Sequence, residues 1–280
     1  MYEIKKIQFT DQDFNSLVEL MAAAFPKATV YNRDYLMWQY THNPDGFAIG
    51  YNAFYNNSLV AHYVVQPSKM NIDGNVVESV LSFNTATHPE HQGKGLFTKL
   101  ANATYEECIS LGKKLVVGVA NANSTPGFTK KLGFELYGPL EAKLTFGCGP
   151  KQKQTYFMSR DWNVESLRWR LSRPNSKYYS VLKENTSTYF APSGQYGILA
   201  ILGSFGESRF LDLSRPPKIR NPLNVWIGIE ANYEASSEGF RIPKKLRPSP
   251  LNFIVKKLNS SLIVPKRDEI LFQSIDFDAY

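Results

Sequence analysis

Residues 91–100 read HQGKGLFTKL, with two glycines flanking Lys94 after a β-like run and before a helix-like one. A glycine pair at such a turn lets backbone N–H groups face an anion closely, and the start of a helix adds a favourable dipole worth roughly 0.3–1 kcal/mol. Phosphate binding is the first chemistry to test against the spacing. A P-loop needs two glycines separated by four residues, then Lys-Ser or Lys-Thr, and this stretch has neither. A dinucleotide fingerprint needs a third glycine where Thr98 stands, and should follow the first strand of a βαβ unit. Metal chemistry has little to work with. Cys108 and Cys148 show no metal spacing and no disulfide framework. His42, His62, His88 and His91 read as lying on different elements without matching spacing, so no metal site is expected.

The elements around this stretch follow from hydrophobic spacing. Thr10 or Asp11 can cap a helix running to about Phe25, with Phe14, Leu17, Val18, Met21 and Phe25 on one face. Arg33–Tyr40 reads as a short helix ended by Asn43-Pro44-Asp45-Gly46. Strands are expected at 47–55 and 59–66, joined as a hairpin at Asn56-Asn57-Ser58, and then at 76–87 after Asn71-Ile72-Asp73-Gly74. Beyond the glycine stretch the pattern predicts a helix over 97–111, a strand over 115–120, a helix over 124–132 and a strand over 134–138. The second half predicts strands at 197–203, 208–213, 225–231 and 270–275 and a helix at 250–258. Tyr35–Pro44 (YLMWQYTHNP) recurs loosely as Ser166–Pro174 (SLRWRLSRP), which suggests a duplicated or degenerate second domain.

At 280 residues, 43% hydrophobic and 20% charged, the chain is a globular protein of one large or two ordinary domains. No apolar run is long enough to span a bilayer, and the first residues lack the apolar core of a secretion signal, so a cytoplasmic location is expected. Residues 1–150 hold 12 Lys+Arg against 13 Asp+Glu, and residues 151–280 hold 20 against 12. Two chemically different halves favour two domains, 1–148 and 149–280. The basic half shows no helix with a concentrated Lys/Arg face and no RNA-binding signature, so nucleic acid is not an expected partner. A homo-oligomer is left open.

Gln92-Gly93-Lys94-Gly95 between a long strand and a long helix resembles the Gln/Arg-x-x-Gly-x-Gly/Ala loop of the GCN5-related N-acetyltransferases (GNAT). The lead-in THPEH and the downstream NANSTPGFTKKLGF (Asn121–Phe134) are similar to the family's strand end, Asn-containing strand end and Leu-Gly-Phe turn. The resemblance covers roughly residues 1–145. It implies an α/β (α+β) fold with a mixed central sheet flanked by helices, followed by a second domain that is GNAT-like in degenerate form. It implies acyl transfer from acetyl-CoA or another acyl-CoA, without a metal, to a small-molecule amine.

The same resemblance implies site residues. Thr85, Ala86, Thr87, Gln92, Gly93, Lys94, Gly95, Leu96 and Phe97 would line the coenzyme site, the loop N–H groups receiving its pyrophosphate. Phe97 departs from the family's Gly/Ala and is expected to turn into the core. Asn123 first, and Asn121 second, would meet the pantetheine amides, with Phe128 nearby. The family's tyrosine acid, four residues before the glycine, is replaced by Thr129 here, which leaves Tyr137 or a water as the acid. Base candidates are His62 and Asn84, the latter only by orienting a water, and Glu78 lies on the same strand run. Trp38 and Tyr40 would border the acceptor. Segments WQYTHNPDG, AHYVVQP and THPEHQGKGLF look most like family members associated with bacterial surface-polysaccharide synthesis, which implies an amino sugar or a nucleotide-linked amino sugar as acceptor. A protein lysine, a polyamine, an antibiotic, or a CoA-binding module without turnover are the alternatives.

Overall fold

Thr10 sets the first helix. Its side chain accepts from the Asp13 N–H while the Asp13 carboxylate accepts from the Thr10 N–H, a reciprocal cap that satisfies two otherwise orphaned donors. The computed structural model describes residues 1–147, 156–216, 223–230, 239–247 and 249–280. Cys148 and the boundary expected at 148/149 lie outside the described residues. The chain divides into two compact units. One comprises Met1–Lys69, Val77–Leu136 and Ile254–Leu262, and the other Met70–Val76, Tyr137–Phe253 and Ile263–Tyr280. The fold is mixed α/β with two sheets and few helices.

In chain order the elements are β1 (Glu3–Lys6), α1 (Asp11–Ala24), α2 (Arg33–Thr41), β2 (Ile49–Tyr55), β3 (Ser58–Ile72), β4 (Asn75–Thr87), α3 (Leu96–Ser110), β5 (Leu115–Ala120), α4 (Thr125–Lys131) and β6 (Glu135–Pro139). They continue with β7 (Glu141–Phe146), β8 (Met158–Arg160), α5 (Val164–Arg170), β9 (Tyr179–Lys183), β10 (Thr186–Pro192), β11 (Leu199–Gly206), β12 (Leu223–Glu230), β13 (Phe240–Arg241), β14 (Asn252–Lys257) and β15 (Leu271–Gln273). The first sheet runs β1-β2-β3-β4-β5-β14-β6, with β8 paired to β3. Its core, which includes Tyr63, Val80, Leu96, Leu100, Tyr105, Cys108, Val116 and Ile254, is buried. The second sheet runs β13-β7-β12-β11-β10-β9, with β15 on β12.

The hairpins form where the turn chemistry predicts them. Asn56 and Asn57 take left-handed φ of 49° and 64°, and Asp73 and Gly74 take 50° and 77°, the handedness that matches strand twist in two-residue loops. Two expectations are corrected. The stretch 250–258 is the strand β14 rather than a helix: Phe253, Ile254 and Val255 are buried in succession, as in a strand covered on both faces. Residues 208–213 join no sheet. A 3₁₀ turn occupies Glu207–Arg209, after which the Leu211 and Leu213 N–H groups donate to the Tyr189 and Ser180 side-chain oxygens. The expected end of the 225–231 strand, Ala231, lies outside the described residues.

The two units repeat an order of elements. Asn32 and Asn163 cap α2 and α5, and Leu36 and Leu167 are fully buried one turn further on. Each helix leads to an antiparallel hairpin, β2–β3 and β9–β10, and the second hairpin turn again pairs left-handed residues, Glu184 and Asn185. A parallel pair follows in each, β4 with β5 and β11 with β12. Only the first has a full helix, α3, inside that crossover; among the described residues between β11 and β12 there is nothing longer than a 3₁₀ turn. No helix of the described residues is long and apolar enough to cross a membrane.

Candidate active site

The glycine stretch sits where β4 hands over to α3. His88 starts a 3₁₀ turn over Pro89–His91, and Gly93 and Gly95 both take φ of 74°. A Cβ built at either glycine would meet nothing within 4 Å, so backbone handedness, not crowding by the protein, demands glycine there. Gly95 is the N-cap of α3, it supplies no side-chain cap, and the first turn carries no acidic residue. The Lys99 N–H returns to the Gly95 carbonyl at 3.2 Å, leaving the Leu96, Phe97 and Thr98 N–H groups ahead of it without intrahelical acceptors. Gln92, Gly93, Lys94 and Gly95 are all exposed. The result is an open, donor-rich helix start.

Leu96 is 2% exposed, and Phe97 packs edge-on against Tyr63 and Phe128, as expected of a residue turned toward the core. Their side chains anchor α3, which leaves only their backbone N–H groups to the open helix start. Phe97 also explains Gly127: a Cβ there would lie 3.0 Å from the Phe97 ring. Phe128 is placed differently from the expectation. It is 5% exposed between Phe97 and Phe134, so its ring builds the core and leaves little face for a ligand.

Next to the loop, β4 and β5 part. Their parallel register runs from Ser79↔Leu115 to Ser82↔Gly118 and stops, although β4 continues to Thr87 and β5 to Ala120. Two residues past the last pair, Asn84 takes φ of 41°, a left-handed backbone inside a strand. Such conformations persist where surrounding structure imposes them, and they cluster at functional sites. Thr85 and Thr87 are half-buried on the stretch beyond the last β5 pair and Ala86 is buried.

At the end of β5 the two asparagines separate. The Asn121 side-chain oxygen accepts from the Asn123 and Ser124 N–H groups at 3.0 and 2.9 Å, which folds the entry to α4. The Asn123 side chain is exposed and makes no hydrogen bond among the described residues, so its amide is the one available to a ligand. Thr129 sends its hydroxyl back to the Thr125 carbonyl at 3.0 Å.

Beneath β4 lies a chain of buried polar groups. Asn84 Nδ2 donates to Gln39 Oε1 at 2.6 Å and to the Tyr40 hydroxyl at 3.2 Å. Tyr40 meets His62 Nε2 at 2.9 Å, and His62 Nδ1 meets Asn52 Oδ1 at 2.6 Å. Full burial pushes the His62 pKa down to about 3, so the imidazole is neutral. One assignment satisfies every partner: Tyr40 donates to Nε2, and Nδ1–H donates to Asn52. His62 is 1% exposed and Tyr40 2%, so neither side chain is open to an acceptor amine; Tyr40 holds Asn84, the one half-buried member of the chain, and His62 holds Tyr40. Trp38 is likewise 3% exposed and packs at a tilt against Tyr35 inside the fold. The signal for His62 was in the sequence: it sits within the nearly continuous apolar run Leu59–Val65, the mark of a strand buried on both faces. Glu78 pairs with Lys113 at 2.6 Å. Tyr137 belongs to the second unit, where it packs edge-on against Phe253 and its carbonyl accepts from Arg267.

The expected separation of the histidines is corrected for two of them. His88, Glu90 and His91 share one 3₁₀ turn, with a ligand atom from each lying within 4.8 Å of the others. The Glu90 N–H donates to His88 Nδ1, and His91 Nδ1 is bonded to the Tyr2 hydroxyl at 2.9 Å, which leaves one ring nitrogen on each histidine.

Residues 3–137 match the family model described as an acetyltransferase (GNAT) domain. A GCN5-related N-acetyltransferase from Anabaena variabilis is similar in fold at 13% identity, with a TM-score of 0.64 over 92% of this chain and 73% of its own. One from Kribbella flavida gives 12% identity and 0.63 over 92% and 72%. Saccharomyces cerevisiae N-myristoyltransferase, with bound myristoyl-CoA, gives 10% identity and 0.51 over 74% and 63%. At these identities the likeness is one of fold. No curated protein matches the chain. Residues 3–137 thus carry the GNAT acetyltransferase domain of an N-acyltransferase enzyme, in a chain whose two-domain fold is GNAT-like.

Proposed function

We propose that this enzyme moves an acetyl or other acyl group from an acyl-CoA to a primary amine, the favoured acceptor being an amino sugar or nucleotide-linked amino sugar. The observation that carries the coenzyme assignment is the uncapped, left-handed Gly95 start of α3 beside a β4 strand that leaves β5 after Ser82. The N–H groups of the loop and of the first α3 turn would hold the pyrophosphate, Asn123 would meet the pantetheine amides, and the parted strands would admit the arm. The thioester supplies an electrophilic carbonyl. Attack by the neutral amine forms the C–N bond and breaks the C–S bond. One amine proton passes to water, and the departing thiolate takes one up.

A thiol of pKa about 8.5 leaves tolerably as thiolate, so the loss of a tyrosine acid at Thr129 is compatible with turnover. Asn84, fixed by Tyr40 and Gln39, orients the amine or its water but cannot itself act as a base. The amino-sugar reading is supported by the resemblance of residues 38–46, 61–67 and 87–97 to polysaccharide-linked family members. The test is thiol release from acetyl-CoA, read with a chromogenic thiol reagent, against UDP-amino sugars, polyamines, lysine peptides and aminoglycosides. Release confined to amino sugars is expected. Release with another class reassigns the acceptor, and tight CoA binding without release for any amine marks a module without turnover.

A further inference from the structure

The second unit contains a cavity of about 370 Å³. Its wall includes Arg241, Lys244, Arg247 and Arg267 but only one acid, Glu141. Both oxygens of that acid are engaged, one by buried Lys143 at 2.9 Å and the other by Arg241 at 3.2 Å. Lys244, Arg247 and Arg267 make no ion pair among the described residues. The cavity therefore concentrates positive charge that the protein leaves unneutralised.

Two of the arginines are also held still. Arg247 donates from Nε and Nη2 to the Ile242 carbonyl and from Nη1 to the Leu140 carbonyl, at 2.8–3.0 Å. Arg267 donates from Nη1 to the carbonyls of Tyr137 and Gly138 and from Nη2 to that of Pro139. Carbonyls orient a guanidinium without cancelling its charge, and each of the two guanidinium groups keeps N–H groups to spare. Burial pulls the Arg267 pKa down from its ordinary value, against a smaller opposing effect of Glu141. Arg247 and Arg267 are preorganised, which lowers the ordering cost of binding, while Arg241 and Lys244 stand exposed at the rim. Tyr137, Leu140 and Ile242 add an apolar wall to the same cavity.

We infer that this cavity binds the phosphoryl groups of a phosphate or diphosphate ester, with the organic part of the ester against the apolar wall. Four lining cations against one carboxylate match an anion of two to three charges better than a single carboxylate, and arginine binds phosphate through paired donors. Identifying that ester as a nucleotide-linked acceptor rests on the acyl-transfer reading; the anion site itself does not.

The test is calorimetric titration of UDP, inorganic pyrophosphate and uridine into the full chain at low salt, with coenzyme A already saturating the glycine loop. Saturable UDP binding is expected, tighter than pyrophosphate, with none for uridine. Lys244→Gln removes a charge whose side chain holds no part of the backbone, and should weaken UDP at least fivefold. Adding Arg241→Gln, which also frees Glu141, should bring the loss to twentyfold or more at an unchanged melting temperature. Absence of saturable binding, unchanged affinity in the folded double variant, or UDP no tighter than pyrophosphate overturns the inference. If coenzyme A itself fails to bind, the acyl-transfer reading falls while the UDP titration remains interpretable.

Discussion

Replacing Gly95 by aspartate tests the coenzyme assignment most directly. A side chain at Gly95 enters open space, since a Cβ meets nothing within 4 Å, so no steric clash with the protein is introduced. The left-handed φ of 74° costs a non-glycine residue about 1 kcal/mol, and a carboxylate near the α3 dipole returns roughly 0.3–1 kcal/mol, so the variant should fold. Both terms are present in the free and bound protein and largely cancel in affinity. What remains is repulsion between the new carboxylate and the pyrophosphate. At about 4 Å this is worth about 1 kcal/mol in water and about 4 kcal/mol at the effective dielectric of a protein surface. Coenzyme A binding by calorimetry should weaken at least tenfold, about 1.4 kcal/mol. Gly95→Ala carries the same backbone strain without the charge and should stay within threefold of wild type. A folded Gly95→Asp variant with unchanged affinity would refute the placement of the pyrophosphate at this loop.

Three further outcomes follow from the site. His62 has a folded pKa near 3 against about 6.5 unfolded, so the unfolded chain takes up a proton first as pH falls; His62 should therefore lower stability by about 1.4 kcal/mol per pH unit between roughly pH 6 and 4, a slope that denaturant melts of His62→Gln should lack. Asn123→Ala should raise KM for acyl-CoA at an unchanged melting temperature, whereas Asn121→Ala should cost about 1 kcal/mol of stability, because only Asn121 folds the α4 entry; the reverse pattern would exchange their roles. Thr129→Tyr should retain acyl transfer at or above the wild-type rate, measured by thiol release, and loss of transfer with intact coenzyme binding would put Thr129 in the acceptor pocket.

Local chemistry made the first part of the site legible. Turn residues at 56–57 and 73–74, the glycines at 93 and 95 and the helical spacing after them need only neighbouring residues to be understood, and the structure forms each as the pattern requires. Phe97 could be sent to the core because a bulky ring at an anion loop has nowhere else to go. Burial was harder to read. Trp38, Tyr40, His62 and Phe128 look like site residues by type, yet pairing and packing by elements distant in sequence enclose them. The residues 250–258 were ambiguous for the same reason: a short apolar run fits helix or strand, and what decides is the place between β5 and β6, which no local pattern shows. Arg267 gave no signal at all, since its partners are backbone carbonyls at 137–139.

That place between β5 and β6 has a consequence for how the enzyme is made. The segment Ile254–Leu262 belongs to the first unit, and β14 fills a sheet position between two strands that leave the ribosome much earlier. Until the stretch 137–253 has also been synthesised, β5 and β6 have no shared partner, and the open ladder edge of β5 is a template for pairing with other nascent chains. The first sheet is thus completed only once residues 252–257 have been made. A gene fragment stopping after the acetyltransferase motif would encode an unfinished sheet rather than a smaller enzyme.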